Sequence, residues 1–147
     1  MQAWKGRKMA TTPKKAPMFS LVNIPMLFYL FVLYNVLSFT LNPTMTDPLF
    51  QVGMNSGGVV AFTWGDLWVV LGIFGLFVEL AKSTRSTNPS IFEHGLSMAL
   101  FVLFLLEFLL VKQAGTSTFL ILTLMQLMDV VAGFTISIST ARRDWGN

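Results

Sequence analysis

The chain has no cysteine and a single histidine, and few of its residues carry charge. Without thiols there is no disulfide framework, no thiolate metal site and no cysteine nucleophile. One histidine cannot supply both axial ligands of a bis-histidine haem, nor a zinc site that has no cysteine to help it. Only 12% of residues are charged while 54% are hydrophobic, and the mean hydropathy is +0.66, so a soluble enzyme domain is excluded. The net charge of +3 comes from basic ends rather than a basic face, and no nucleic-acid partner is expected. There is no G-x-S-x-G, no paired metal motif, and no serine and histidine expected close together at one depth, so an enzyme is not expected.

What is present is a set of four apolar runs, each near the roughly 20 residues that a helical crossing needs. The expected fold class is an all-α integral membrane protein with four transmembrane helices at about 19–40, 59–81, 91–111 and 118–140, inside one domain, 18–141. A basic arm, 1–17, precedes it and a short tail, 142–147, follows. The run 19–40 is longer than the 7–15 residue core of a signal peptide and lacks its small-residue cleavage pattern, so it is read as a retained span. Pro25 should kink that span or start its regular part.

Lys and Arg set the topology. The arm (Lys5, Arg7, Lys8, Lys14, Lys15), the second loop (Lys82, Arg85) and the tail (Arg142, Arg143) hold nine of them, against Lys112 alone in the other two loops. Both termini are therefore expected in the cytoplasm. The loop 41–58 has no Lys or Arg and belongs outside. Its Asp47-Pro48 pair is a first-turn signal, with one short interfacial helical turn expected over 49–54. Ser90-Ile91-Phe92-Glu93 is a capping box that starts the third span.

The last span carries Asp129 near its middle, where a carboxylate costs about 2.5–3.5 kcal/mol on insertion scales. Gln126, Asp129, Gly133, Ser137 and Thr140 follow at helical spacing and share one face, which must meet protein. On the second span Trp68, Gly72, Gly75 and Glu79 share a face, the two glycines permitting close helix approach. On the third, Glu93, Ser97, Leu100, Phe104 and Glu107 do so.

Three acids lie at staggered depths. At 1.5 Å per residue, Glu79 is about 5 Å, Asp129 about 16 Å and Glu107 about 24 Å from the inner edge. Two have simple explanations: Glu79 pairs with Lys82, and Glu107 is near enough to pair with Lys112. Asp66 is expected to be solvated. Tyr29 lies near mid-depth and is a candidate donor to Asp129, while Tyr34, Asn35 and Gln126 are candidates to bridge the gaps. His94, at the cytoplasmic edge, is the one candidate ligand for a haem or pigment, and an interfacial hydrogen bond is its expected role.

The stretch Glu93-His94-Gly95-Leu96-Ser97, together with Asp129-Val130-Val131-Ala132-Gly133-Phe134 and Ala141-Arg142-Arg143-Asp144, resembles a family of small four-span bacterial inner-membrane proteins of uncharacterised function. The resemblance covers 79–145 and implies a location in a bacterial inner membrane, but brings no activity. An organelle inner membrane also suits the acid-free basic arm. The small multidrug-resistance exporters are a poorer comparison, because their working glutamate is in the first span and this first span has no acid.

The functional expectation is a non-catalytic accessory, stabilising or assembly subunit. Beyond the lipid bilayer, its partners would be other membrane-protein subunits or a second copy, and no cofactor is expected. The alternative is a proton- or cation-conducting protein that uses Glu79, Asp129 and Glu107 in series, with Tyr29 beside them.

Overall fold

The computed structural model of the protein describes residues 24–85 and 91–144. The basic arm, Asn23, the Ser90 cap and the chain beyond Asp144 lie outside these residues, as do the side chains of Thr140, Arg142 and Arg143. The chain is mostly helical, and its first helix, α1 (Met26–Leu41), begins directly after Pro25. Proline fixes its own φ and lacks an N–H, which suits a helix start, so it begins the regular part. The helix stops at Asn42, which adopts a left-handed φ of 46° and is followed by Pro43.

Three further helices are α2 (Trp64–Arg85), α3 (Ile91–Leu110) and α4 (Ser117–Asp144). Each is long and apolar enough to cross a membrane, over Trp64–Ser83, Glu93–Leu110 and Ser117–Ser139, whereas α1 is a shorter apolar helix. A 3-10 turn, Lys112–Ala114, joins α3 to α4 as a tight helical hairpin.

The expectation of an all-helical chain fails in one place. Pro48–Gly53 (β1) and Val59–Thr63 (β2) form an antiparallel hairpin where a helical turn over 49–54 and the first residues of span two were expected. The reason is local. Phe50, Val52, Val60 and Phe62 alternate with smaller or polar residues at the period of a strand, and Asn55-Ser56-Gly57 supplies the three-residue loop that closes it. Gly57 holds φ at 83°, a left-handed position that glycine fills without strain.

The helices pack in the order α1, α2, α4, α3, with α1 also reaching α3 through Phe31 and Phe104, whose ring centroids are 4.7 Å apart. Leu27, Tyr34, Trp68, Leu100, Phe104, Phe119 and Leu122 make one buried core. For helices apolar enough to cross a membrane, such a core would be held by close packing and hydrogen bonds, since lipid tails are as apolar as leucine. The outward faces are apolar in turn: Val36, Phe74, Phe77, Leu106, Leu109 and Val131 are all exposed.

Candidate functional site

The polar face of α4 meets the chain's own helices. Gln126 is fully buried, and its Nε2 donates to the Ser97 carbonyl at 3.2 Å and to Asp129 Oδ2 at 3.3 Å. Asp129 is itself buried, at 5% exposure. One turn on, Gly133 leaves room for the His94 ring of α3: a methyl on Gly133 would stand 2.8 Å from His94 Nδ1. The ring stacks on Phe134 with centroids 5.8 Å apart, and its Nε2 is hydrogen-bonded to Ser137 Oγ.

Ser137 Oγ also lies 3.0 Å from the Gly133 carbonyl, to which it can donate, and the imidazole tautomer sets which of His94 and Ser137 donates in the bond between them. His94 and Ser137 thus correct the expectation that no serine and histidine would meet. They are 43 residues apart, and only the antiparallel packing of α3 on α4 joins them.

Gly72 and Gly75 serve different neighbours. A methyl on Gly72 would fall 2.6 Å from Leu122 Cδ2 and 2.8 Å from Met125 Sδ, so this glycine sets the approach of α2 to α4. At Gly75 the nearest atoms belong to Leu27 and Met26 of α1, at 3.6 and 3.7 Å, an ordinary contact distance.

Beside Asp129 the three long helices line a partly open polar cavity of about 20 Å³, enough for one water-sized sphere. It is lined by Glu79, Lys82 and Ser83 of α2, by Glu93, His94 and Ser97 of α3, and by Asp129 and Gly133 of α4. Glu79 is held at both oxygens: Oε1 receives Lys82 Nζ at 3.3 Å, the pair expected from sequence, and Oε2 receives the backbone N–H of Met26 at 2.9 Å. That second bond caps the start of α1, where Pro25 offers no side-chain acceptor. Among the described residues no group of three or more His, Cys, Asp or Glu is placed to hold a metal ion.

The three acids do not form one staggered series. Glu79 and Asp129 line the same cavity, in part because α2 runs four residues past the expected end and sets Glu79 about 6 Å farther from it. Glu107 stands apart, some ten residues or about 15 Å along α3 from Ser97. Leu100 and Phe104, both buried, occupy the same face between them. The partner of Glu107 is Asn35, whose Nδ2 donates to Oε2 at 2.9 Å, and not the exposed Lys112. Asn35 is already oriented by a bond to the Phe31 carbonyl at 3.1 Å. Tyr29 is 41% exposed beside Phe28 and outside the cavity lining, while Tyr34 is buried in the aromatic core against Trp68 and Phe119.

No family model, curated protein or solved structure matches the chain. The site therefore rests on its own geometry.

Sequence reasoning passed over several of the residues that build it. Thr63 and Asp66 form a reciprocal capping box: Asp66 Oδ2 accepts the Thr63 N–H and hydroxyl, both at 2.8 Å, and Thr63 Oγ1 accepts the Asp66 N–H at 3.2 Å. Thr-x-x-Asp ahead of an apolar run is a signal for this, and it starts α2 at Trp64 instead of 59. Thr116 likewise caps α4 by accepting the Phe119 N–H at 3.1 Å. Gly65 had no sequence signal, yet a methyl there would lie 2.5 Å from Thr118 Oγ1 and 3.0 Å from the Met45 carbonyl.

Proposed function

We propose that the protein is a non-catalytic accessory or stabilising subunit of a membrane assembly, with four spans and both ends in the cytoplasm of a bacterium. One observation carries the choice over conduction. Leu100 and Phe104 are buried between the Asp129 cavity and Glu107, so Asp129 and Glu107 are separated by packed hydrocarbon. The groups that looked available for a partner are engaged at home, since Gln126, Asp129, Gly133 and Ser137 face α3 and Gly72 faces α4. What remains for a partner is the apolar outer surface of the helices, where close packing between membrane proteins takes place. The nine-to-one division of Lys and Arg supports the four-span topology, with α1 as the first crossing.

The test is extraction of the native membrane in mild detergent, with the chain tagged at its carboxyl end. A defined co-purifying membrane protein, lost when outward residues such as Phe74 and Phe77 become alanine, is the expected result. A chain that runs alone and conducts protons or sodium in proteoliposomes overturns it.

A second reading has one observation in its favour: Glu79 and Asp129, with His94 and Lys82, share a water-sized cavity. Acids around a buried water are the parts of a proton site. Flux that is present in the parent and abolished by Asp129→Asn would establish this reading in place of the first.

A further inference from the structure

The hairpin's two faces differ in a way that nothing else in the fold uses. In an antiparallel ribbon paired Phe50 to Phe62 and Val52 to Val60, alternate residues point to opposite sides. One side therefore carries Phe50, Val52, Met54, Val60 and Phe62, and the other Gln51, Gly53, Val59 and Ala61. The apolar side is open: Phe50 is 54%, Val52 52%, Met54 52% and Val60 51% exposed, and the Phe50 and Phe62 rings lie flat on each other with centroids 5.0 Å apart. No charged residue occurs from Pro48 to Gly65. A ribbon of two strands is marginal by itself and holds its shape when a surface covers its apolar side.

The position of the ribbon says which surface. β2 passes into α2 with no intervening residue, and the stretch of α2 able to cross a membrane begins at that junction, at Trp64. The base is tied down on both sides of the junction. Trp64 N–H donates to the Asp47 carbonyl at 3.2 Å and Gly65 N–H to the Met45 carbonyl at 2.9 Å, while Thr63 and Asp66 cap each other. The hairpin is thus continuous with the lipid-contacting surface of the helices and starts where that surface leaves the hydrocarbon. Its depth is bounded as well. Among the described residues the strands pair only with each other, so their outer edges keep N–H and C=O groups that hydrocarbon does not tolerate and that water and headgroups satisfy.

We propose that the Phe50, Val52, Met54, Val60 and Phe62 face lies on the bilayer at the boundary of headgroups and acyl chains, making the hairpin a lipid-surface anchor for the start of α2. This rests on the chain's membrane insertion and not on the accessory role. The occupant of the face is lipid, and a second copy or a protein partner is the competing outcome.

The absence of cysteine makes the test direct, because one introduced thiol takes one label. Val52→Cys and Val60→Cys place an environment-sensitive fluorophore on the apolar face, and Gln51→Cys and Ala61→Cys place it on the other. The full-length chain is reconstituted at high dilution into vesicles of phosphatidylcholine and phosphatidylglycerol. Quenching is then measured with a nitroxide near the top of the acyl chain and with iodide on both sides of the membrane. At 52 and 60 the nitroxide should quench at least about twofold more strongly than at 51 and 61, with iodide showing the reverse order, as for an apolar face buried in the interface. Equal iodide quenching at all four positions overturns the proposal. So does shielding at 52 and 60 that ignores the nitroxide and grows with protein density, which would mean a second copy. Two variants on paired strands guard against one misfolding, and the copurification result is independent of both.

Discussion

Glu79 on α2 accepts the backbone N–H of Met26, the first residue of α1, at 2.9 Å, so a side chain of one helix caps another. Glu79→Ala removes the acceptor and should lower stability by about 1 kcal/mol, the usual scale of a lost cap. Glu79→Gln, which still accepts, should retain most of it. Lys82→Ala should have the smaller effect, because its side chain is 28% exposed and such pairs contribute about 0–1 kcal/mol. Thermal unfolding in detergent gives the order, and a Lys82→Ala loss equal to that of Glu79→Ala would show that the ion pair matters and the cap does not.

Gly133 and Gly95 should respond to alanine with opposite signs. Nothing lies within 4 Å of a methyl on Gly95, so the helix propensity of alanine should stabilise the chain by up to about 1 kcal/mol. At Gly133 the methyl meets the His94 ring, which is held by Ser137 and stacked on Phe134, so Gly133→Ala should lower the unfolding midpoint. In a His94→Ala background the same change should be tolerated, and a penalty of unchanged size there would show that the ring is not what resists it.

Asn35 and Glu107 are the polar link between α1 and α3. Asn35→Ala leaves a half-buried carboxylate without its donor and should cost about 1–3 kcal/mol, whereas pairing it with Glu107→Leu should recover much of the loss. A double-mutant cycle by unfolding in detergent measures this, and strict additivity would mean the two side chains do not couple.

Thr63→Ala and Gly65→Ala should both loosen the junction of hairpin and α2, for different reasons. The first removes the cap that Asp66 shares, and the second drives a methyl toward the Met45 carbonyl, a backbone atom that cannot swing aside. Hydrogen exchange of the Trp64 and Gly65 amides should accelerate in each, while amides in the middle of α4 keep their protection. Uniform acceleration across the chain would point to global destabilisation instead.

The helical nature of the chain, with helices long and apolar enough to cross a membrane, is legible in residue order, because apolar runs of sufficient length have few other solutions. Local chemistry also carried the Glu79 to Lys82 pair and the shared faces of Trp68 to Glu79 and Ser97 to Phe104, and it narrowed Pro25 to a kink or a helix start, of which the structure has the start. These depend on neighbours within a few residues. The hairpin and the Thr63 to Asp66 box were equally local, but an apolar run of the right length hid the change from strand period to helix period at Thr63.

Residue order alone is enough to turn the stripe of Gln126, Asp129, Gly133 and Ser137 toward protein, since lipid cannot satisfy it. That this protein is the chain's own α3, with Ser97 and His94 as the partners, follows from the packing of the helices. The packing also decides that Glu107 turns to Asn35 and not to Lys112, and that Glu79 shares a cavity with Asp129. Each of these pairs two positions far apart in the chain, and their meeting depends on how far each helix extends and on which glycine lets a neighbour in. Spacing along one helix carries no information about either.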